Sequence, residues 1–420
     1  MDYQSLNALC LHAVIFRTKI QRFQEQQLAR RALIFINNQI YFSCLSGTFS
    51  EDVITEDCVQ PDRLKHSAAD SLSIIKSSRD FVAQYRQSVN SYTSRTLGVA
   101  SDINRAFQGV LNVLTERLNS SYLGTTDPSS TSMEGIPRSI FDVGLLWQPK
   151  RILQYRHGFP SWSWTGWFGE VHWYNDGLAA ASNDAGGNGE KEIINQWLAK
   201  RTWIDWYWNP FDRQRGSSND MPIWNADEPV GELSDSIEST EPQKKRTSPW
   251  GYQKTPNSRF LGLPEIRYQS AVNTDHTHTC LHFWTASARF VIRPIFIGPI
   301  RYRASDPEEL GAGLVVFLLV NCHDQPCGYV LLDERWKSKA ESDQEFIMLS
   351  EAEYYMDYTR PHHAHPYPEV SHEGDDYLEY YAMMIVWENG LAKRVGLGRV
   401  MKAAIGDACA GPYWKEIRLG

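Results

Sequence analysis

At 420 residues the chain exceeds what one hydrophobic core usually organises, and domains of ~150 residues point to two or three folding units. The formal net charge of -8, with 22% charged residues spread along the chain, excludes the concentrated basic surface that holds nucleic acid by counterion release. Seven scattered cysteines (Cys10, Cys44, Cys58, Cys280, Cys322, Cys327, Cys409) do not resemble a secreted disulfide framework, and no apolar run approaches the ~20 residues of a membrane span, so a cytoplasmic protein with reduced thiols is expected.

Met1 to Phe16 has a short apolar stretch, but Asp2 precedes it and no small-residue cleavage pattern follows, so it makes a poor signal peptide. Residues 17–31 are dense in helix formers, with Phe23 and Leu28 as apolar anchors. ALIFI and QIYFSC then flank Asn37-Asn38, and because Asn tolerates positive φ the pair predicts a β-hairpin turn. From Ser67 the pattern becomes helical, with Phe81, Tyr85, Val89 and Tyr92 on one stripe. A second helix follows, capped by Ser101 or Asp102, with Ile103, Ala106, Phe107, Val110, Leu111, Leu114 and Leu118 at helical spacing.

Residues 176–258 are an insertion: two stretches rich in Gly, Ser, Pro and charge flank WLAKRTWIDWYWNPF, whose aromatic density predicts an ordered island docked on a core. From Phe260 onward short β-type runs dominate, among them LHFWTASARFVI, GLVVFLLVN, GYVLLD, EFIMLS and YYAMMIVWE, with Asn389-Gly390 as a hairpin signal before LAKRVGLGRV. The expected architecture there is an antiparallel sheet or sandwich, with a helical segment around Ala352 and a closing segment at WKEIRLG. Gly396-Leu397-Gly398 inside a strand marks a bulge or close packing.

Candidate chemistry is sparse. His276, His278, Cys280 and His282 alternate along one potential strand face, but zinc sites bring ligand pairs from two loops, so a strand with incidental histidines is the reading preferred. Cys322, His323 and Cys327 lack a second ligand pair. His362, His363 and His365, followed by His372, Glu373, Asp375 and Asp376, form an acidic, histidine-bearing loop without a nucleophile. No GxSxG, HExxH, Walker A or GxGxxG motif occurs, and no metal or cofactor is assigned.

The strongest local signal is GFPSWSWTGWFGE, centred on Pro160, Ser161, Trp162, Ser163, Trp164, Gly166 and Trp167. Each indole offers well over ~150 Å² to bury and one N–H that needs an acceptor, and the Ser and Gly between them allow close backbone approach. As a core block the rings lock helical and β-rich parts together; as an exposed platform they stack on sugars. Trp is mostly buried in proteins, which favours the core.

RHGFPSWSWTGWFGEVHW resembles the Pro-Ser-Trp-Ser-Trp-Ala-Gly-Trp segment of fungal heterokaryon-incompatibility (HET) domain proteins, downstream of their HET domain. Other segments agree in order: RFQEQQLARRALIFINNQIYFSC is similar to the end of the HET domain and its following hairpin, YTSRTLGVASDINRAFQGVL to the next helical stretch, and PRSIFDVGLLWQP to the lead-in of the Trp motif. CGYVLLDERW, EFIMLSEA, MMIVWENGLAKRVGLGRV and WKEIRLG resemble the family's β-rich tail. Gln24 and Glu25 match the family's Arg-x-Trp-Thr-x-Gln-Glu, while Gln21 replaces its Trp. The upstream block of the family is missing, so the chain reads as N-terminally truncated.

The resemblance implies a part in fungal non-self recognition and programmed cell death. The resulting expectation is an α+β protein: residues 1–45 a HET remnant with its hairpin, 46–175 a helical segment ending in the Trp motif, 176–258 the insertion, and 259–420 a β-rich region. It would act as a non-catalytic interaction or regulatory module with protein partners. A residual TIR-like NAD-cleaving enzyme and an intracellular glycan-binding module are the alternatives.

Overall fold

The computed structural model describes residues 23–29, 31–36, 39–44, 47–51, 81–118, 132–173, 197, 201–209, 221–223, 260, 262–267, 280–294, 313–352 and 379–420. The chain divides into two units, residues 1–128 with 168–172, and residues 129–167 with 173–420.

In the first unit, α1 (Phe23–Leu28) leads into a meander of β1 (Arg31–Ile36), β2 (Gln39–Cys44) and β3 (Gly47–Ser50). Ile36 lies opposite Gln39, so β1 and β2 pair as the expected hairpin does; Asn37 and Asn38 lie outside the described residues. Helices α2 (Phe81–Thr93) and α3 (Arg105–Leu118) follow. Their apolar stripes are buried as the spacing predicts: Phe81, Tyr85, Val89 and Tyr92 on α2, and Phe107, Val110, Leu111 and Leu114 on α3. Ser101 and Asp102 do not cap α3; they lie in a 3-10 turn (Ala100–Asp102), and the helix opens at Arg105.

The rings of Phe23, Tyr92 and Phe107 meet with centroids 4.9–6.3 Å apart, and the Tyr92 hydroxyl donates to the Ile103 carbonyl at 2.7 Å. Leu28, the second expected anchor, is 36% exposed. Five residues separate it from Phe23, about 140° around an α-helix, so the two cannot share a face.

The second unit is built on strands. β4 (Tyr207–Asn209), β5 (Cys280–Pro294), β6 (Leu314–Val320), β7 (Pro326–Asp333), β8 (Asp343–Ala352), β9 (Glu379–Glu388), β10 (Leu391–Met401) and β11 (Ala410–Leu419) belong to one sheet. The order β5-β6-β7-β10-β9-β8 returns to β5, every pairing antiparallel, which closes a six-stranded barrel. The expected antiparallel sheet is present, but it closes on itself rather than forming a sandwich, and the cause is the length of β5. Its 15 residues serve two neighbourhoods: Val291 is flanked by Val320 and Asp343 within the ring, while Leu281 is flanked by Trp208 of β4 and Leu419 of β11. Closure leaves those strands no free edge.

Other readings resolve locally. Asn389 and Gly390 adopt φ of 51° and 79° between paired Glu388 and Leu391, the two positive values of a type I′ turn. Ala352 ends β8 opposite Glu379 rather than lying in a helix; residues 353–378 are outside the described residues. WKEIRLG forms most of β11 and ends in Gly420. Trp197, Trp203, Ile204 and Trp206 of the aromatic island are buried, and Tyr207–Asn209 adds to β5. No helix among the described residues is long and apolar enough to cross a membrane.

One buried carboxylate ties β5, β8, β9 and β11 together. Glu345 accepts from Lys415 Nζ at 2.6 Å, Ser287 Oγ at 2.7 Å and Trp387 Nε1 at 2.9 Å. Desolvation alone would raise its pKa; the donors, Lys415 first, outweigh burial and hold it below the ordinary glutamate value. A lowered carboxylate pKa contributes stability that is present above the unfolded value of about 4.3 and lost as pH falls through the folded value. Glu345→Gln is expected to cost on the order of 2 kcal/mol near neutral pH, less than a fully buried pair because Lys415 keeps part of its hydration. Denaturant melts should show the gap to the parent closing below about pH 4.

Candidate functional site

The Trp motif lies in the second unit and is held by its small residues. Trp162 and Trp164 have no exposed surface. Ser163 caps the 3-10 turn Trp164–Gly166 by accepting from the Thr165 amide at 3.0 Å, and its hydroxyl donates to the Glu134 carbonyl at 2.6 Å. Gly166 packs so closely that an added Cβ would lie 2.2 Å from the Pro160 carbonyl oxygen. Gly135, at φ 79°, does the same for the Trp164 ring, which an added Cβ would meet at 2.5 Å.

Ser161, 2% exposed, joins the motif to the end of β11 and to β10 at Arg394. Its amide donates to the Gly420 carbonyl at 3.1 Å and its hydroxyl donates to the same oxygen. That hydroxyl also accepts from the Arg394 amide at 2.9 Å, and the Ser161 carbonyl accepts from Trp167 Nε1 at 2.8 Å. Arg156 staples the other side, with Nε on the Thr165 carbonyl at 3.0 Å and its amide on the Gly166 carbonyl at 2.7 Å. The expectation that each indole N–H finds an acceptor holds for Trp167; Trp162 Nε1 is buried without a hydrogen-bond partner among the described residues.

The rings form a column. Trp162 meets Phe141 at 5.7 Å, Phe141 meets Trp206 at 5.4 Å, and Trp206 meets Phe283 of β5 at 4.5 Å. Trp206 Nε1 donates to Asp142 Oδ1 at 2.9 Å, which secures the insertion's aromatic island beside the motif. Neither Trp162 nor Trp164 offers a face on which a sugar could stack.

Next to the motif opens a cleft of about 510 Å³ within the second unit. Its lining includes Trp147 and Tyr155, both packed against Trp167, together with Trp336, and Leu314, Leu331 and Leu332 add apolar surface. A bulge in β10 accompanies two of the polar groups, Lys393 and Arg394. Met384 pairs with Gly396 and Ile385 with Arg394, so Val395 is an extra residue, alternation breaks, and Lys393 through Gly396 all line the cleft. Gly398 completes the close packing expected for this stretch, since an added Cβ would lie 1.9 Å from the Tyr329 carbonyl oxygen.

Arg394 is 3% exposed. Nη1 donates to the Leu145 carbonyl at 2.7 Å, Nη2 to the Trp147 carbonyl, and the guanidinium lies 3.7 Å over the Trp147 ring. Burial pulls its pKa well below the usual arginine value. Desolvation likewise lowers Lys393, opposed by Cys280 and Glu388, and raises the Tyr155 phenol. At the rim Asp333 pairs with Arg335 at 2.8 Å.

The other sequence candidates lie apart. Gln24 Nε2 donates to the Arg105 carbonyl at 3.0 Å and packs against Gly109, fastening α1 to α3, while Glu25 is exposed in the first turn of α1. His282 bonds Glu416 at 2.7 Å, and residues 275–279 lie outside the described residues, as do His362, His363, His365, His372, Glu373, Asp375 and Asp376. Cys322 is exposed, Cys327 is buried with its thiol pushed up to about 12 by desolvation first, and His323 stands 3.8 Å from Asp407. Among the described residues no group of three His, Cys, Asp or Glu is placed to hold a metal ion. Arg394, Lys393, Tyr155 and Trp336 were not singled out as site residues from the sequence; the available signal was an Arg following Lys in an apolar strand, just before Gly-Leu-Gly.

No family model matches the chain, and neither a curated protein nor a solved structure matches it.

Removing one fully buried indole leaves a cavity beside Gly135 that backbone cannot fill. Trp164→Ala is expected to lower stability by about 3–5 kcal/mol in a urea melt. A loss under about 1 kcal/mol would place the ring outside the core.

Proposed function

We propose that the protein is a non-catalytic interaction module of fungal non-self recognition, acting through protein partners in a pathway that ends in cell death. The observation that carries this reading is the ordered string of segments resembling HET-domain proteins, from RFQEQQLARR through PSWSWTGW to WKEIRLG. The tight setting of the motif supports it in one respect: the most family-like residues pack into the second unit, and two of them, Ser161 and Trp167, line its cleft. Such a unit carries surface for recognition, while its chemistry-bearing side chains are engaged in packing, as Ser163 is with the Glu134 carbonyl.

The test is expression in a filamentous fungus, alone and together with a full-length HET-domain protein. The expected outcome is that co-expression alters the growth arrest the full-length protein causes by about tenfold in surviving colonies, and that Trp164→Ala abolishes the effect. No change in arrest under any pairing removes the reading. Release of nicotinamide from NAD by the purified chain, lost in Glu25→Gln, would replace it with the enzymatic alternative.

A further inference from the structure

The cleft of the second unit holds more positive charge than it neutralises. Its lining includes three cationic side chains, Arg335, Lys393 and Arg394, against two carboxylates, Asp333 and Glu388. Asp333 is engaged by Arg335 through both a 2.8 Å ion pair and the Arg335 amide. Lys393 and Glu388 act on one another electrostatically. Arg394 is left, and no carboxylate among the described residues comes within ion-pair distance of it.

Its guanidinium is also unsaturated as a donor. Arginine has five N–H donors. One from Nη1 goes to the Leu145 carbonyl and one from Nη2 to the Trp147 carbonyl, and no further acceptor among the described residues takes the rest. Burying a cation without a counter-ion is costly unless something of opposite charge joins it. The two bonds and the Trp147 face fix its direction beforehand, which is what a recognition group needs.

The rest of the lining states what accompanies that charge. Tyr155 and Trp167 meet edge to face at 5.5 Å, Trp336 carries Lys339 at 4.3 Å over its ring, and leucines supply aliphatic contact. Such walls suit a flat ring, and the volume lies in the range of small-molecule sites. A cationic ligand fits poorly: the Trp147 face is already covered by Arg394, and Lys393 stands 6.0 Å over Tyr155.

We propose that this cleft binds a small aromatic acid, an aryl carboxylate by class, with its acid group toward Arg394 and its ring among Tyr155, Trp167 and Trp336. The site goes beyond the interaction reading above and does not depend on it, since binding is read on the purified protein without any fungal host.

The test uses calorimetry and tryptophan fluorescence on the full chain with 2-naphthoate, and with 2-naphthylmethylammonium as the charge-reversed probe. Saturable naphthoate binding with Kd below about 1 mM, at least about tenfold tighter than the ammonium, is expected. Arg394→Gln and Trp336→Ala should each weaken it by about tenfold or more. If Arg394→Gln does not fold, Lys393→Gln and Trp336→Ala, at half-buried positions, carry the test, with losses of about threefold and about tenfold. Equal or tighter binding of the ammonium overturns the proposal. So does the absence of saturable naphthoate binding up to about 10 mM, or wild-type affinity in the folded variants.

Discussion

Much of the second unit turns on one serine. Ser161 is buried, and every polar atom it has is engaged: amide and hydroxyl on the Gly420 carbonyl, hydroxyl again under the Arg394 amide, carbonyl under the Trp167 indole. Buried polar groups must find such partners or cost the structure their desolvation. Satisfying all of them at once fixes the Trp motif against the end of β11 and the bulge of β10 together. The ring column from Trp162 to Phe283 then extends that placement to β5, the strand on which the barrel closes.

That arrangement explains why the cleft lies where it does. Bulges re-aim side chains, and the one at Val395 brings consecutive residues of β10 to a single wall. Arg394 is held from both directions, its backbone by Ser161 and its guanidinium by two carbonyls and the Trp147 ring. Trp147 in turn donates to the Trp162 carbonyl at 3.0 Å, so the stacked indole is itself part of the motif's frame. The cleft is a consequence of the same bonds that bury the motif.

What the sequence made legible follows the range of each interaction. Helical stripes, the Asn389-Gly390 turn and the paired β1 and β2 are local, and residue type alone specifies them. Small residues between tryptophans announced close approach, which Gly166 and Gly135 display. Barrel closure was not legible, because it depends on which strands pair across long separations, and a 15-residue run reads the same in an open sheet as in a ring. Leu28 shows a finer limit: residue type marks it as an apolar anchor, but its angular position on the helix turns it away from the face of Phe23. Arg394 was not legible because a basic residue in a strand ordinarily marks the solvent face, and the groups that hold this one inside, the Leu145 and Trp147 carbonyls and the Trp147 ring, lie far away in sequence.

Arg394 can be weighed as a structural staple or as a recognition group, and its geometry separates the two. A staple needs only the Leu145 and Trp147 carbonyls, both neutral acceptors that leave the charge uncompensated. Glu345 and Glu351 show how this fold treats a buried charge that serves structure alone: Glu345 receives Lys415, and Glu351 receives both Arg201 at 2.6 Å and Lys402 at 2.7 Å. Glu345 and Glu351 are thus each given an oppositely charged partner, as Glu379 is by Arg399 at 3.3 Å, whereas Arg156 is held by the Thr165 and Trp167 carbonyls. Arg394 has no counter-ion among the described residues, and it lines the cleft. A buried charge that lines a cleft without a counter-ion is the kind of exception to charge pairing that concentrates where function is kept.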